Sequence, residues 1–146
     1  MKIIARFFIL SLILLVSGCT SGEKPIDNNM NKDSIPPYTK TSDDIIDTHG
    51  NLENKERFDE FFNNVQQGKD DNIRVVKYTT EGDPIIYSYA FENEKINVTI
   101  DTRRDNYGQG NVIHTICTSI KDNEKINYEL EGCSPSIGDN IILTIE

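Results

Sequence analysis

The chain has 146 residues, of which 24 are acidic and 15 basic, giving a formal net charge of −9 at pH 7. A chain this acidic repels nucleic acid and anionic membrane surfaces, and no basic stripe offsets that repulsion. It carries no internal repeat and no heptad, so solenoids and coiled coils are excluded as well.

Lys2 and Arg6 precede an apolar run from Phe7 to Val16, and the small residues Ser17 and Gly18 follow it. That run is too short to span a bilayer, which takes about 20 apolar residues. A basic start, a short apolar core and a small-residue exit predict a secretory signal peptide over residues 1–18. Its end, Leu15-Val16-Ser17-Gly18-Cys19, is similar to a bacterial lipobox. The resemblance implies a diacylglycerol on the Cys19 thiol, cleavage before it, and Cys19 as the mature N-terminus. An ordinary signal peptide with an incidental cysteine is the plain alternative. Cleavage would remove two basic residues and no acidic one, so the mature chain is more acidic still.

Residues 19–41 then read as the lipidated cysteine and a disordered tether. The composition is Asn, Asp, Lys, Ser and Pro with no hydrophobic period, and "SIPPYTK" lies near its end. As a flexible coil it would span roughly 25 Å, which keeps the folded part close to the membrane. Residues 42–146 are long enough for one domain with one modest core.

"TSDDIIDTHGN" begins with Ser42 and Asp43 as candidate helix N-caps and ends at Gly50-Asn51, which predicts a short helix. A second helix follows in "NLENKERFDEFFNNVQQGK". Phe58, Phe61, Phe62 and Val65 recur at i, i+3, i+4, i+7, and Gly68 supplies the stop. The four side chains form one stripe, read as core-facing rather than as an aromatic binding patch. After Gly68 the period changes to two. "IRVVKYTT", "IIYSYAF", "INVTIDT", "VIHTICTSI", "INYELEG" and "IILTI" read as six strands rich in β-branched and aromatic residues. The intervening turns are mostly too short for crossover helices, so neighbours should pair antiparallel. The expected architecture is α+β, an N-terminal helical segment packed on one face of a mainly antiparallel meander of about six strands.

Cys117 and Cys133 lie in an exported domain, where disulfides persist, and a pair is the expected reading. If Ile116 and Ile120 face the core, Cys117 faces out, and Cys133 shares that parity if Ile126, Tyr128 and Leu130 face in. A tight hairpin pairing Ile120 with Ile126 leaves Cys133 opposite Ile113, too far for a bond. Moving the turn so that Ile120 faces Tyr128 makes the cysteines diagonal neighbours, with a bend at Gly132 to close the gap. Two free thiols or a metal site are the weaker readings, since no His-Cys spacing suggests zinc and His114 would point away from Cys117.

Several constellations have residue types suited to chemistry. Asp47, His49 and Glu53 lie together in sequence, and a histidine flanked by carboxylates suits a general base. The plainer reading has Asp47 and Asn51 capping helix ends and His49 packing at their junction. Glu81 and Asp83 in "EGDP" are what a turn between strands requires. Arg103 and Arg104, the adjacent basic pair of the folded part, are the candidate partner contacts or anion site; an exposed loop balancing an acidic face explains them equally. "DNYGQGN" fails the calcium-loop spacing, because Tyr107 and Ile116 fall on ligand positions counted from Asp105. No catalytic residue, metal or cofactor is assigned.

"DTHGNLENKERFDEFFNNV", "RVVKYTTEGDPIIYSY" and "YELEGCS" resemble small lipoproteins of Gram-positive, spore-forming (Bacillus-type) bacteria that share the domain of unknown function 4362. The resemblance runs over most of Ile45 to Ser134. It implies a location on the outer face of the cytoplasmic membrane, held by the lipid anchor, and it carries no activity, cofactor or functional residue. Two classes stay open: a non-enzymatic binding module for an unknown envelope protein or ligand, which is preferred, and a small cell-envelope hydrolase using Asp47, His49 and Glu53.

Overall fold

The computed structural model describes residues 35–124 and 126–145; the expected signal peptide, Cys19 and the first part of the expected tether lie outside the described residues. The described chain is mainly sheet, with one helix and nine strands in two sheets. In chain order these are β1 (Ile45–Thr48), β2 (Asn51–Glu53), α1 (Lys55–Gln66), β3 (Asp71–Tyr78), β4 (Pro84–Glu92), β5 (Lys95–Asp101), β6 (Val112–Cys117), β7 (Ser119–Asn123), β8 (Asn127–Glu131) and β9 (Ile141–Thr144).

The first expected helix is instead a β-hairpin. Thr48 pairs with Asn51, and His49 and Gly50 between them take φ of 53° and 90°. Positive φ at both central residues is the tight turn whose twist suits a two-residue hairpin, and glycine supplies the second position at no steric cost. Ser42 and Asp43 form a turn rather than a helix cap, and the β-branched Ile45, Ile46 and Thr48 suit an extended chain better than a four-residue helix.

The second helix forms where its stripe lies. Phe58 and Phe61 are fully buried, with Phe62 and Val65 packed beside them, and the chain leaves at Gly68 with φ of 67°. Asn54 precedes the helix in a left-handed conformation and makes no cap bond. Its side-chain amide donates instead to the carbonyls of Ser42 and Asp44 at 3.1 and 3.3 Å, tying the helix start to the residues before β1.

The larger sheet runs β2-β1-β3-β4-β5-β6, and the smaller one β7-β8-β9. All pairings are antiparallel except β1 with β3, which are parallel and joined across β2 and α1. A parallel pair needs such a crossover, and α1 provides it. One face of the larger sheet carries Ile73, Val75, Tyr89, Phe91, Ile96, Val98 and Ile100, in one core with Phe58 and Phe61 of the helix and Tyr128, Leu130, Ile142 and Leu143 of the smaller sheet. Phe58 and Phe62 both set their rings edge-on to Tyr128, at 4.7 and 5.0 Å between centroids. Helix and smaller sheet therefore cover the same face, the inner one.

"VIHTICTSI" does not remain one strand. It divides at Thr118 into β6 of the larger sheet and β7 of the smaller. The break also reverses the expected parity, for Cys117 is fully buried while Ile116 is half exposed. The β7–β8 register explains the cysteines. Ile120 faces Leu130, a longer hairpin than either register expected, and the same register continued puts Cys117 opposite Cys133. Their sulfurs are joined, with Cα atoms 3.9 Å apart. Gly132 beside them has φ of 62°, and a Cβ there would meet Thr118 Oγ1 at 2.3 Å, so no larger residue fits.

Candidate functional site

The outer face of the larger sheet carries the polar chemistry. The last residues of the expected tether, 35–41, lie against it. Tyr38 donates its hydroxyl to Asp44 at 2.6 Å, and its ring lies 5.7 Å from the Arg74 guanidinium. Arg74, on β3, donates from Nε and Nη2 to the two Asp44 oxygens at 2.6 and 2.8 Å, and the Thr41 amide adds a bond of 2.8 Å. Asp44 is only 3% exposed. Burial alone would raise its pKa, but the Arg74 fork, the Tyr38 hydroxyl and the Thr41 amide outweigh it and hold the carboxyl well below the usual range. Burial and the bonded carboxylate push the Tyr38 hydroxyl up in turn.

Farther along this face the segment reaches the loop after β5. Arg103 donates from Nε and Nη2 to Asp101 at 2.9 and 2.8 Å, and Arg104 from Nη1 at 2.8 Å. The Arg103 bonds hold the Asp101 carboxyl well below its usual range. Arg104 Nε also donates to the Pro36 carbonyl at 3.1 Å. Asp83 accepts from the backbone and side-chain amides of Asn106, at 2.6 and 2.8 Å, which fastens the tip of the β3–β4 turn to the same loop. These contacts wall an open cleft of about 410 Å³. Ile35, Pro36, Tyr78 and Pro84 line its apolar side, and Arg104 and Asn106 its polar side. Such a volume, with an apolar wall and few polar groups, lies within the range of ligand pockets.

The arginine pair thus belongs to a built cleft, yet both guanidiniums are tied to Asp101 and neither stands as a bare anion site. The residues of the hydrolase reading are not brought together. His49 is exposed at the hairpin tip, not at a junction of helices. Asp47 sits across from Leu52 and accepts the Gly50 amide at 2.9 Å, so it holds the turn. Glu53 sits across from Ile46, on the other face of the hairpin, and pairs with Lys40 at 2.5 Å. Side chains alternate along a strand, so Asp47 and Glu53 point apart.

Sequence reasoning missed Tyr38, Asp44 and Arg74. The sequence pattern puts Asp44 in a helix start and Tyr38 in the tether; a strand reading of "DIIDT" is what sets Asp44 beside a sheet. It also missed Lys77, whose ammonium crosses the inner face to the Ile141 carbonyl at 3.0 Å and lies 5.1 Å from the Tyr87 ring. Burial lowers the Lys77 pKa and raises that of Tyr87.

The family model "Domain of unknown function (DUF4362)" covers residues 42–129, from the turn before β1 into β8. No curated protein and no solved structure matches the chain.

Proposed function

The chain belongs to the DUF4362 family, a domain of unknown function, and from that premise we propose that it is a lipid-anchored binding module on the outer face of the cytoplasmic membrane, in a Gram-positive, Bacillus-type envelope. The cleft beside Arg104 carries this reading. It offers an apolar wall next to a guanidinium whose Nε and Nη1 are committed; Nη2, which meets no hydrogen-bond partner among the described residues, can receive a carboxylate or carbonyl on an otherwise apolar ligand. Ile35 and Pro36, which wall it on one side, belong to the last part of the expected tether, so ligand capture takes place close to the bilayer.

A photo-crosslinking residue tests the cleft. Placed at Asn106 in intact envelopes, it is expected to give discrete adducts by mass spectrometry, reduced by Tyr78→Ser; placed at Glu56 on the helix, it should give none of them. The same adducts from both positions would remove the cleft as the site. Changing Arg103 and Arg104 together to alanine is a poorer probe, because it strips Asp101 of its cations and lowers stability along with binding.

The anchor rests on the sequence Leu15 to Cys19. Two acyl chains suffice for stable membrane attachment, at about 0.8 kcal/mol per buried methylene. Cys19→Ala is expected to abolish lipid labelling and leave the signal segment uncleaved. A mature protein that begins elsewhere and lacks a lipid mass would end the lipoprotein reading. No helix among the described residues is long and apolar enough to cross a membrane.

A further inference from the structure

β6 ends the larger sheet, and two observations fix where its backbone groups point. The Asn111 carbonyl accepts the Thr102 amide at 2.9 Å, on the β5 side. Ile116 exchanges both of its backbone bonds with Ser134 on the opposite side, at 3.3 and 2.9 Å. Antiparallel ladders alternate, so Ile113, Thr115 and Cys117 bond to β5 while Val112, His114 and Ile116 direct N–H and C=O outward. Ser134 closes the edge at Ile116. The outward groups of Val112 and His114 meet no backbone partner among the described residues.

Natural sheets blunt their edges with lysine, proline, bulges or very short strands. The opposite edge, β2, is three residues long and has Lys40 paired to Glu53. Val112 to His114 carry no lysine, proline or bulge, and Val112 and Ile113 are 37% and 41% exposed; beyond them Thr115 donates its hydroxyl to the Pro135 carbonyl at 2.5 Å and Ser134 closes the edge at Ile116. We propose that the open half of β6 is an acceptor for an extended, non-acidic polypeptide segment of another protein, which adds to the sheet as a further strand. This surface is separate from the cleft and does not depend on it.

Two residues' donors and acceptors, repeating about 6.8 Å apart, are matched by a β-strand. Alternating β-branched side chains on that strand would sit beside Val112 and His114 on one face and beside Ile113 on the other, as far as Thr115, which is buried against Pro135. A second copy of the chain fits less well. It brings another net charge of −9, and the open run, about 10 Å long between Ser134 and the Thr102–Asn111 bonds, is short of the roughly 800 Å² per partner that a standard interface buries. The same net charge favours a basic segment over an acidic one.

The probe is the blocked peptide Lys-Thr-Val-Thr-Ile-Thr-Lys, added to the full chain labelled with nitrogen-15. Amide exchange at Val112 and His114 is expected to slow at least tenfold at saturation, while Ile113 and Thr115, already bonded to β5, change little. A version with glutamate at both ends should bind at least tenfold more weakly. His114→Pro removes an outward N–H without breaking the β5 ladder and should abolish binding, whereas His114→Ala retains it; both lose the 3.0 Å contact with Thr99, so that loss cancels in the comparison. Should His114→Pro fail to fold, the exchange pattern of the unaltered chain decides alone. Absent protection at Val112 and His114, or equal binding by the proline and alanine variants, overturns the proposal. Protection that appears without peptide and grows with protein concentration overturns it too, in favour of a second copy.

Discussion

Arg74→Ala is expected to lower the unfolding free energy by about 2–3 kcal/mol at neutral pH. Removing one member of a buried ion pair typically costs about 3–5 kcal/mol, because the other charge is left without compensation. The figure is reduced here because the Arg74 side chain is 36% exposed, so water can enter where the guanidinium was. For a domain near 100 residues this corresponds to a fall in Tm on the order of 10 °C. The pH dependence identifies the cause. With Arg74 present, the folded pKa of Asp44 lies below that of the unfolded chain, about 3.9. Its contribution is therefore complete above about pH 4 and is lost as pH falls toward the folded value, since the unfolded state then binds more protons. In the variant, acid instead neutralises a stranded carboxylate. The stability gap between the two proteins should narrow from pH 7 to pH 3, as urea unfolding would measure. Asp101 and Asp71 titrate with the same sign and remain in both proteins, so they drop out of the difference. A gap that stays constant across that range would show that the ion pair is not its source.

Opening the Cys117–Cys133 bond is expected to cost about 3 kcal/mol, from the entropy regained by an unfolded chain no longer closed across a 16-residue separation. Thermal melts with and without reductant should differ by about 10 °C. Changing both cysteines to alanine should reproduce the loss and make added reductant irrelevant. Serine at position 117 should do worse than alanine, because Cys117 is fully buried in the core and a hydroxyl there must find a partner or remain unsatisfied. Melts that are indifferent to reductant, together with two titratable thiols in protein isolated from envelopes, would refute the bond.

Elements whose burial repeats locally were legible from the residues. Phe58, Phe61, Phe62 and Val65 set the helix and its buried side, because a stripe at helical spacing can be satisfied only by a helix lying on a core. Ile96, Val98 and Ile100 set β5 and its inner face for the corresponding reason at period two. Arg103 and Arg104 were legible as an unusual pair, though their hold on Asp101 was not, since that depends on how the chain turns after β5.

Local pattern thus suffices for the helix, for most of the strands after Gly68 and for the two cysteines as a candidate pair. The remainder depends on contacts between distant residues. "DIIDTHGNLE" is too short to display a period, and it became a hairpin because β1 gains a parallel partner in β3, some 30 residues away. The division of "VIHTICTSI" at Thr118 has a similar origin: one half belongs to β5 and the other to β8, in different sheets. The direct opposition of the cysteines follows from that second pairing. Tyr38 and Asp44 form a site only with Arg74, which forks onto Asp44 and lies over the Tyr38 ring from 30 residues farther along the chain. Periodicity records only which side of an element is buried; which element lies against it is settled by hydrogen bonds and ion pairs between residues far apart in the chain.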